Sequence, residues 1–350
     1  MTESRKQIPG VSIWLAALWL AAGGGACVHG PPQTGFWERN GLDRVWPLPP
    51  EKARVGHLGA VQDARDLGKS RSWLQKLGDR IMGVAPTSLV KPLAVARNRE
   101  GLLVVTDSGF PTLHFFDLVR REYDRLDDDE AAVLAAPVGV ALDDQGNAYV
   151  TDSVRGKVFV FDSRRRLVGE IGEGVLERPT GIALGPFQQQ LYVVDTVACE
   201  LFVFETDGRL VRRFGSRGAG PGQLNAPTYV AIGPAGSIAI ADTLNFRVQI
   251  FASDGTLLRS FGRAGNGSGD FARPKGVAYD RSGRLYVVDG GFDNVQVFDP
   301  EGRLLLVLGA SGHGAGQFNL PVGLFLDSAD ILWVADSYNA RVQAFRLLAE

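Results

Sequence analysis

Short apolar runs, separated by turn-forming residues, recur along most of the chain. Between Arg273 and Asn319 they read GVAY at 276–279, RLYVV at 284–288, VQVF at 295–298 and LLLVL at 304–308. Each has the length of a strand and is rich in Val, Leu, Tyr and Phe. The residues between them are Asp, Gly, Ser, Pro and Asn, which suit tight reversals. The first three runs end in Asp280, Asp289 and Asp299 and the fourth in Gly309. The pattern predicts a four-stranded antiparallel meander. One such sheet cannot bury both of its faces, so it requires copies of itself as neighbours.

The copies are present. The aspartates that end the second strands are Asp107, Asp152, Asp195, Asp242, Asp289 and Asp336, spaced by 45, 43, 47, 47 and 47 residues. A period in the forties with four strands per unit points to the blades of a β-propeller, because a helical solenoid would show apolar spacing of 3 to 4 residues. Blade one begins at about residue 91 and the sixth runs to 348. The segments 136–153 (APVGVALDDQGNAYVTDS), 218–227 (GAGPGQLNAP), 240–251 (IADTLNFRVQIF), 312–321 (GHGAGQFNLP) and 334–345 (VADSYNARVQAF) resemble the NHL repeat. The resemblance covers about residues 91–348. It implies an all-β fold, a six-bladed β-propeller of NHL type, and leaves activity open because propellers host many functions.

The sixth repeat holds three strands, 323–327, 331–336 and 341–348, while a lone strand stands at 53–61. Pairing the two would complete the last blade and remove an exposed sheet edge. Closure of the ring by 53–61 is therefore expected. Between closure strand and first blade, Trp73, Leu74, Leu77 and Ile81 recur at helical spacing after Ser72, which predicts a short helix over 72–82. Blade one departs from the repeat, with TLHFFDL (112–118) as third strand and an acidic exit at 123–137 in place of a Gly-rich turn.

The N-terminus changes the picture of where this domain works. Arg5 and Lys6 precede an unbroken apolar run, Val11–Ala22, followed by small residues and Cys27. Residues 1–27 resemble a bacterial lipoprotein signal with Cys27 as the lipidated residue, although Gly24 stands where that pattern prefers Leu. An uncleaved anchor is the alternative, since 11–28 carries no charge. Either way the domain is expected outside the cytoplasm and tethered to the envelope, at the outer membrane if the lipoprotein sorting resemblance holds. Residues 28–44 are polar and contain Pro and Gly, which reads as a linker before a propeller domain spanning 45–350. The remaining cysteine, Cys199, is expected to be an unpaired small residue of a loop.

Composition narrows the function. The 350 residues are 45% hydrophobic and carry a formal net charge of -2, enough for one large core and too little positive charge for nonspecific nucleic-acid binding. The six strand-ending aspartates could form a carboxylate ring for a cation, but each precedes a turn whose N–H groups it can accept, and a residue required by every blade points to a structural task. Asp242 and Asp336 also have Arg247 and Arg341 five residues on. The Gly-rich stretches 215–225, 262–272 and 309–319 feed strands and lack the Lys-Ser or Lys-Thr of a phosphate loop, so they read as connectors. The four histidines, His29, His57, His114 and His313, show no metal-ligand spacing, and no G-x-S-x-G occurs. No catalytic set, metal site or cofactor is expected.

Binding is then sought where residues break the repeat on the face carrying the hairpin loops and connectors. Arg155, Phe246, Phe292 and Tyr338 sit in hairpins. Tyr229 stands where other blades have Gly or Ala, and Lys275 follows the Pro that opens blade five. These are residue types that anchor interfaces. The sequence thus predicts a monomeric, non-enzymatic scaffold for a protein or peptide in the envelope. Two alternatives stay open: a metal-dependent hydrolase or lyase at the channel mouth, as in relatives sharing the propeller, and carbohydrate or cell-wall binding.

Overall fold

The computed structural model describes residues 42–67, 87–126, 128–186 and 189–348. The signal-like segment, nearly all of the linker, and the helix expected over 72–82 lie outside these residues.

Six antiparallel sheets stand side by side, five of four strands and one of five. In blade five the strands are Pro274–Tyr279, Leu285–Asp289, Asn294–Phe298 and Leu304–Leu308, within two residues of the apolar runs that predict them. The inner strand of each blade begins at a proline paired with the strand-ending aspartate, as in Pro274↔Asp289 and Pro321↔Asp336. That pairing puts the start of every inner strand, the hairpin after every second strand, and the connector between blades on one face. Proline is tolerated there because it is the first residue of its strand.

Between sheets, the packing is apolar. Facing residues such as Val150, Phe161, Val193, Phe204, Ile240, Phe251, Val287 and Phe298 are buried. Side-chain hydroxyls add ties from blade to blade: Thr106 donates to the Val138 carbonyl at 2.8 Å, Thr196 to Pro227 at 2.7 Å and Thr243 to Pro274 at 2.8 Å.

The ring is closed as expected. Val55–Val61 pairs antiparallel with Arg341–Leu347, from Val55↔Leu347 to Val61↔Val342. Val55, Leu58 and Val61 are buried by it, each contributing about 1.5–3 kcal/mol of apolar transfer. One feature departs from the expectation. Arg44–Trp46 adds a fifth strand outside the closure strand, with Trp46↔Val55, so the sixth sheet is one strand wider than its neighbours. Three residues followed directly by Pro47 carry too short an alternation to be recognised as a strand. The acidic exit of blade one contains a single helical turn, Asp128–Ala131.

Candidate functional site

The six aspartates occupy equivalent places on the hairpin face and all are fully buried. In blades one, two, three and five each carboxylate accepts backbone N–H groups from two directions. Asp289 takes Ala272 and Arg273 of the incoming connector and Gly291 and Phe292 of the hairpin. Asp195 takes Glu177, Arg178, Val197 and Ala198 in the same way. Every oxygen of these carboxylates is therefore engaged in turning the chain.

Blades four and six replace part of this with side chains. Asp336 accepts from Asn319 N, Asn339 Nδ2, Arg341 Nε and Gln343 Nε2 at 2.7–3.0 Å. The same arginine and glutamine hold the Gly-rich connector: Arg341 donates to the carbonyls of His313, Gly314 and Gln317, and Gln343 to that of Gln317. Asp242, Asn245, Arg247 and Gln249 repeat the arrangement around 218–223. The Asn-x-Arg-Val-Gln motif and the Gly-rich connector are thus two halves of one clasp. Short residues in the connector let its carbonyls approach the guanidinium.

Blade one carries His114 at the place of this glutamine. Its Nδ1 lies 3.0 Å from the Tyr123 hydroxyl and its Nε2 3.6 Å from Asp107. Burial, helped by Arg125 and opposed by Asp107, pushes the imidazole down to about 4. Cys199 lies in a hairpin turn, where it is buried, in a left-handed conformation at the position filled elsewhere by Gly156, Phe246, Asp293 and Ala340.

The inner-strand residue after each proline forms a ring at the channel mouth on this face: Leu93, Val138, Thr180, Thr228, Lys275 and Val322, all half-buried. The next residue in each strand points to why the channel ends there. It is Gly in four blades, and the neighbouring backbones come close. A Cβ at Gly181 would lie 2.5 Å from Tyr229 Cα, and one at Gly323 2.5 Å from the Leu93 carbonyl. In blade four the residue is Tyr229. Its side chain crosses the channel, is 8% exposed, and donates a 2.9 Å hydrogen bond to the Leu93 carbonyl of blade one. Burial raises its phenol above the ordinary range. On the far side of Tyr229 lies a cavity of about 190 Å³ lined by Val, Ala, Ile, Leu and Tyr279 from the inner strands.

The sequence candidates therefore separate. Tyr229 is corrected from a face residue to the floor of the mouth. Phe246 and Phe292 are half-buried, Phe246 packing against the core. Arg155 is exposed and donates to the Val133 carbonyl. Tyr338 is 59% exposed with the Lys91 ammonium 5.5 Å from its ring centre. Lys275 stands in the mouth ring, and burial with Arg273 nearby lowers its ammonium below the ordinary range.

Tyr338 apart, sequence reasoning missed the exposed apolar side chains of the face. Val90, Phe110, Val154, Val175, Leu244 and Tyr338 all project from its hairpins and connectors, with Val154 at 71% and Leu244 at 55% exposure. Among the described residues, Leu48 and Val119 are the exposed large apolar side chains on the turns of the opposite face. Val154, Leu244 and Tyr338 each lie two residues past a strand-ending aspartate, a position the repeat itself marks. Among the described residues no group of three His, Cys, Asp or Glu side chains is placed to hold a metal ion.

Comparison with known proteins agrees with the architecture. Residues 134–161 and 318–345 match the NHL repeat, and 184–233 match a family described as a 6-bladed beta-propeller. No curated protein matches the sequence. Among solved structures, virginiamycin B lyase from Staphylococcus aureus is similar over 74% of this chain and 96% of its own, at 13% identity and a TM-score of 0.55. A gluconolactonase from Xanthomonas campestris is similar over 74% and 87%, at 17% identity and 0.58. An auxiliary nutrient binding protein from Bacteroides thetaiotaomicron is similar over 74% and 70%, at 12% identity and 0.59. At these identities the likeness is one of fold.

Proposed function

The chain is a six-bladed β-propeller built of NHL repeats, and we propose that it is a non-enzymatic docking module that holds a protein or peptide on its hairpin face. The observation that carries this reading is the asymmetry of exposed apolar surface. Val90, Phe110, Val154, Val175, Leu244 and Tyr338 surround the mouth on one face, while the opposite turns are mainly polar. Val168, Leu210, Val211, Leu258, Leu305 and Val307 are exposed as well, but they are strung along the outer strands, whereas exposed apolar groups set around one mouth of a rigid scaffold mark an interaction surface. Lys91 and Arg155 supply the polar rim expected of such a surface.

The N-terminal segment extends the proposal. Lipidation at Cys27, or retention of 11–28 as an anchor, would tether the propeller in the cell envelope with 28–41 as spacer. An enzymatic reading, as a metal-dependent hydrolase or lyase, would need ligands at the mouth. The mouth ring instead presents one lysine, two threonines and three aliphatic side chains.

The test is in-cell crosslinking of the full chain followed by mass spectrometry, with a Val154→Ser, Leu244→Ser, Tyr338→Ser variant alongside. A protein captured by the wild type and lost from the variant supports the docking face. An identical catch from both overturns it.

A further inference from the structure

Lys275 is the one charged residue of the mouth ring, and it has neither an acidic neighbour at pairing distance nor a hydrogen bond among the described residues. The reason lies one strand away. In blades three and four the ring residue is a threonine held by a hydroxyl just past the strand-ending aspartate: Thr180 lies 2.9 Å from Thr196 and Thr228 2.8 Å from Thr243. Blades one, two and six also carry a serine at that place, namely Ser108, Ser153 and Ser337. Blade five has Gly290. A Cβ there would come within 2.9 Å of the Pro321 carbonyl and 3.7 Å of Lys275 Cγ. The lysine stem passes beside the place where that hydroxyl would stand, and among the described residues nothing receives its ammonium.

The carboxylates of the same blade are committed elsewhere. Asp289 accepts four backbone N–H groups, and Asp293 accepts the Leu320 N–H at 2.7 Å. Arg273 adds a second positive charge near Lys275. Leu93, Val138 and Val322 leave part of the ring apolar, and Tyr229 closes the floor, so a group entering the mouth stops at the depth of the lysine. A half-buried cation without a partner among the described residues, in a ring of otherwise aliphatic and hydroxyl side chains, is suited to one compact anionic group brought in by a larger ligand.

We infer that the mouth is a carboxylate subsite, in which Lys275 receives an acidic side chain or the terminal carboxylate of a peptide segment lying on the hairpin face. This inference rests on the docking reading and specifies its chemistry. The apolar hairpin residues supply contact area, and Lys275 selects for the acid and sets its register across the face.

The experiment uses the full chain in detergent micelles and an array of random decapeptides made in two series, with free and with amidated C-termini. The expected binders carry Asp, Glu or a free terminus. They weaken at least about tenfold with Lys275→Met, as loss of a charge-assisted hydrogen bond implies, and with Lys275→Arg they recover most of that loss. High salt weakens them further. Loss on amidation assigns the carboxylate to the chain end, and retention with a required Asp or Glu assigns it to a side chain. Binders without acid preference, or binders indifferent to Lys275→Met, overturn the inference, as does a complete absence of binding. The Val154→Ser, Leu244→Ser, Tyr338→Ser variant separates the two readings. If it binds as wild type while Lys275→Met does not, the subsite stands and the apolar face fails; the reverse result fails the subsite alone.

Discussion

The Tyr229 hydroxyl donates a 2.9 Å hydrogen bond to the Leu93 carbonyl, so one side chain of the fourth blade reaches the backbone of the first across the channel. The contact exists because the corresponding residues are Ala94, Gly139, Gly181, Gly276 and Gly323, which leave the axis open for one large ring. Replacing Tyr229 by Phe keeps the ring and removes the bond. The expected loss is about 1 kcal/mol. Tyr229→Ala removes the floor as well and should cost about 3–5 kcal/mol. Urea midpoints followed by circular dichroism measure both. An alanine variant as stable as the wild type would mean that the ring contributes no packing.

The Asp336–Arg341 clasp predicts an asymmetry between buried and surface ion pairs. Arg341 is 9% exposed at its side chain, 2.7 Å from a fully buried Asp336. Arg341→Met leaves that carboxylate without its cation and takes the side-chain donor from the His313 and Gly314 carbonyls, that of Gln317 still being held by Gln343, so about 3–5 kcal/mol should be lost. Arg120→Ala breaks the pair with Asp117, in which the arginine is 77% exposed. That change should stay within about 0.5 kcal/mol. Equal effects from the two substitutions would contradict the clasp.

Histidine 114 makes stability depend on pH. Its folded pKa is lowered to about 4 by burial, against the ordinary 6.5. The unfolded chain therefore takes up the proton first as the pH falls. The stability held above 6.5 is lost progressively between 6.5 and about 4, at up to about 1.4 kcal/mol per pH unit. Asp107, Tyr123, Phe116 and Arg125 surround the ring and favour the neutral form on balance. His57, also lowered by burial, acts in the same direction. His114→Gln restores the side chain used by blades four to six, and its urea midpoint should fall less over this interval. Parallel pH profiles for variant and wild type would remove the imidazole from the account.

Closure makes the last blade depend on the first strands of the domain. A chain beginning at residue 65 loses the pairing of Val55–Val61 with Arg341–Leu347 and exposes that strand's edge. It should aggregate or melt well below the full chain, read by size-exclusion chromatography and thermal scanning. A stable monomer would show that the remaining three strands suffice.

Lipidation predicts that Cys27→Ser moves the protein from the membrane to the soluble fraction of cells. A variant that stays membrane-bound would support the uncleaved segment instead.

Much of this architecture is a local property of the chain. A strand end, an aspartate and a turn lie within a few residues of each other, and their spacing recurs, so the blades, their number and the hydrogen-bonding task of Asp107 through Asp336 are readable in order along the sequence. Closure is legible too, because a missing strand and a spare one are both visible. Other features depend on residues distant in sequence. Tyr229 looks like an aromatic on a face until the ring brings Leu93 opposite it, 136 residues away. Val154 and Leu244 look like ordinary strand-flanking apolar residues until the hairpins place them on one surface. The clasp of Arg341 requires the 313–317 connector to fold back over it. The sequence by itself determined the repeat, because backbone pairing and turn chemistry act over short range. Only the tertiary structure decided which symmetry-breaking side chain plugs the channel, which stands exposed and which lysine has no partner among the described residues, because burial and pairing depend on what the closed ring brings together.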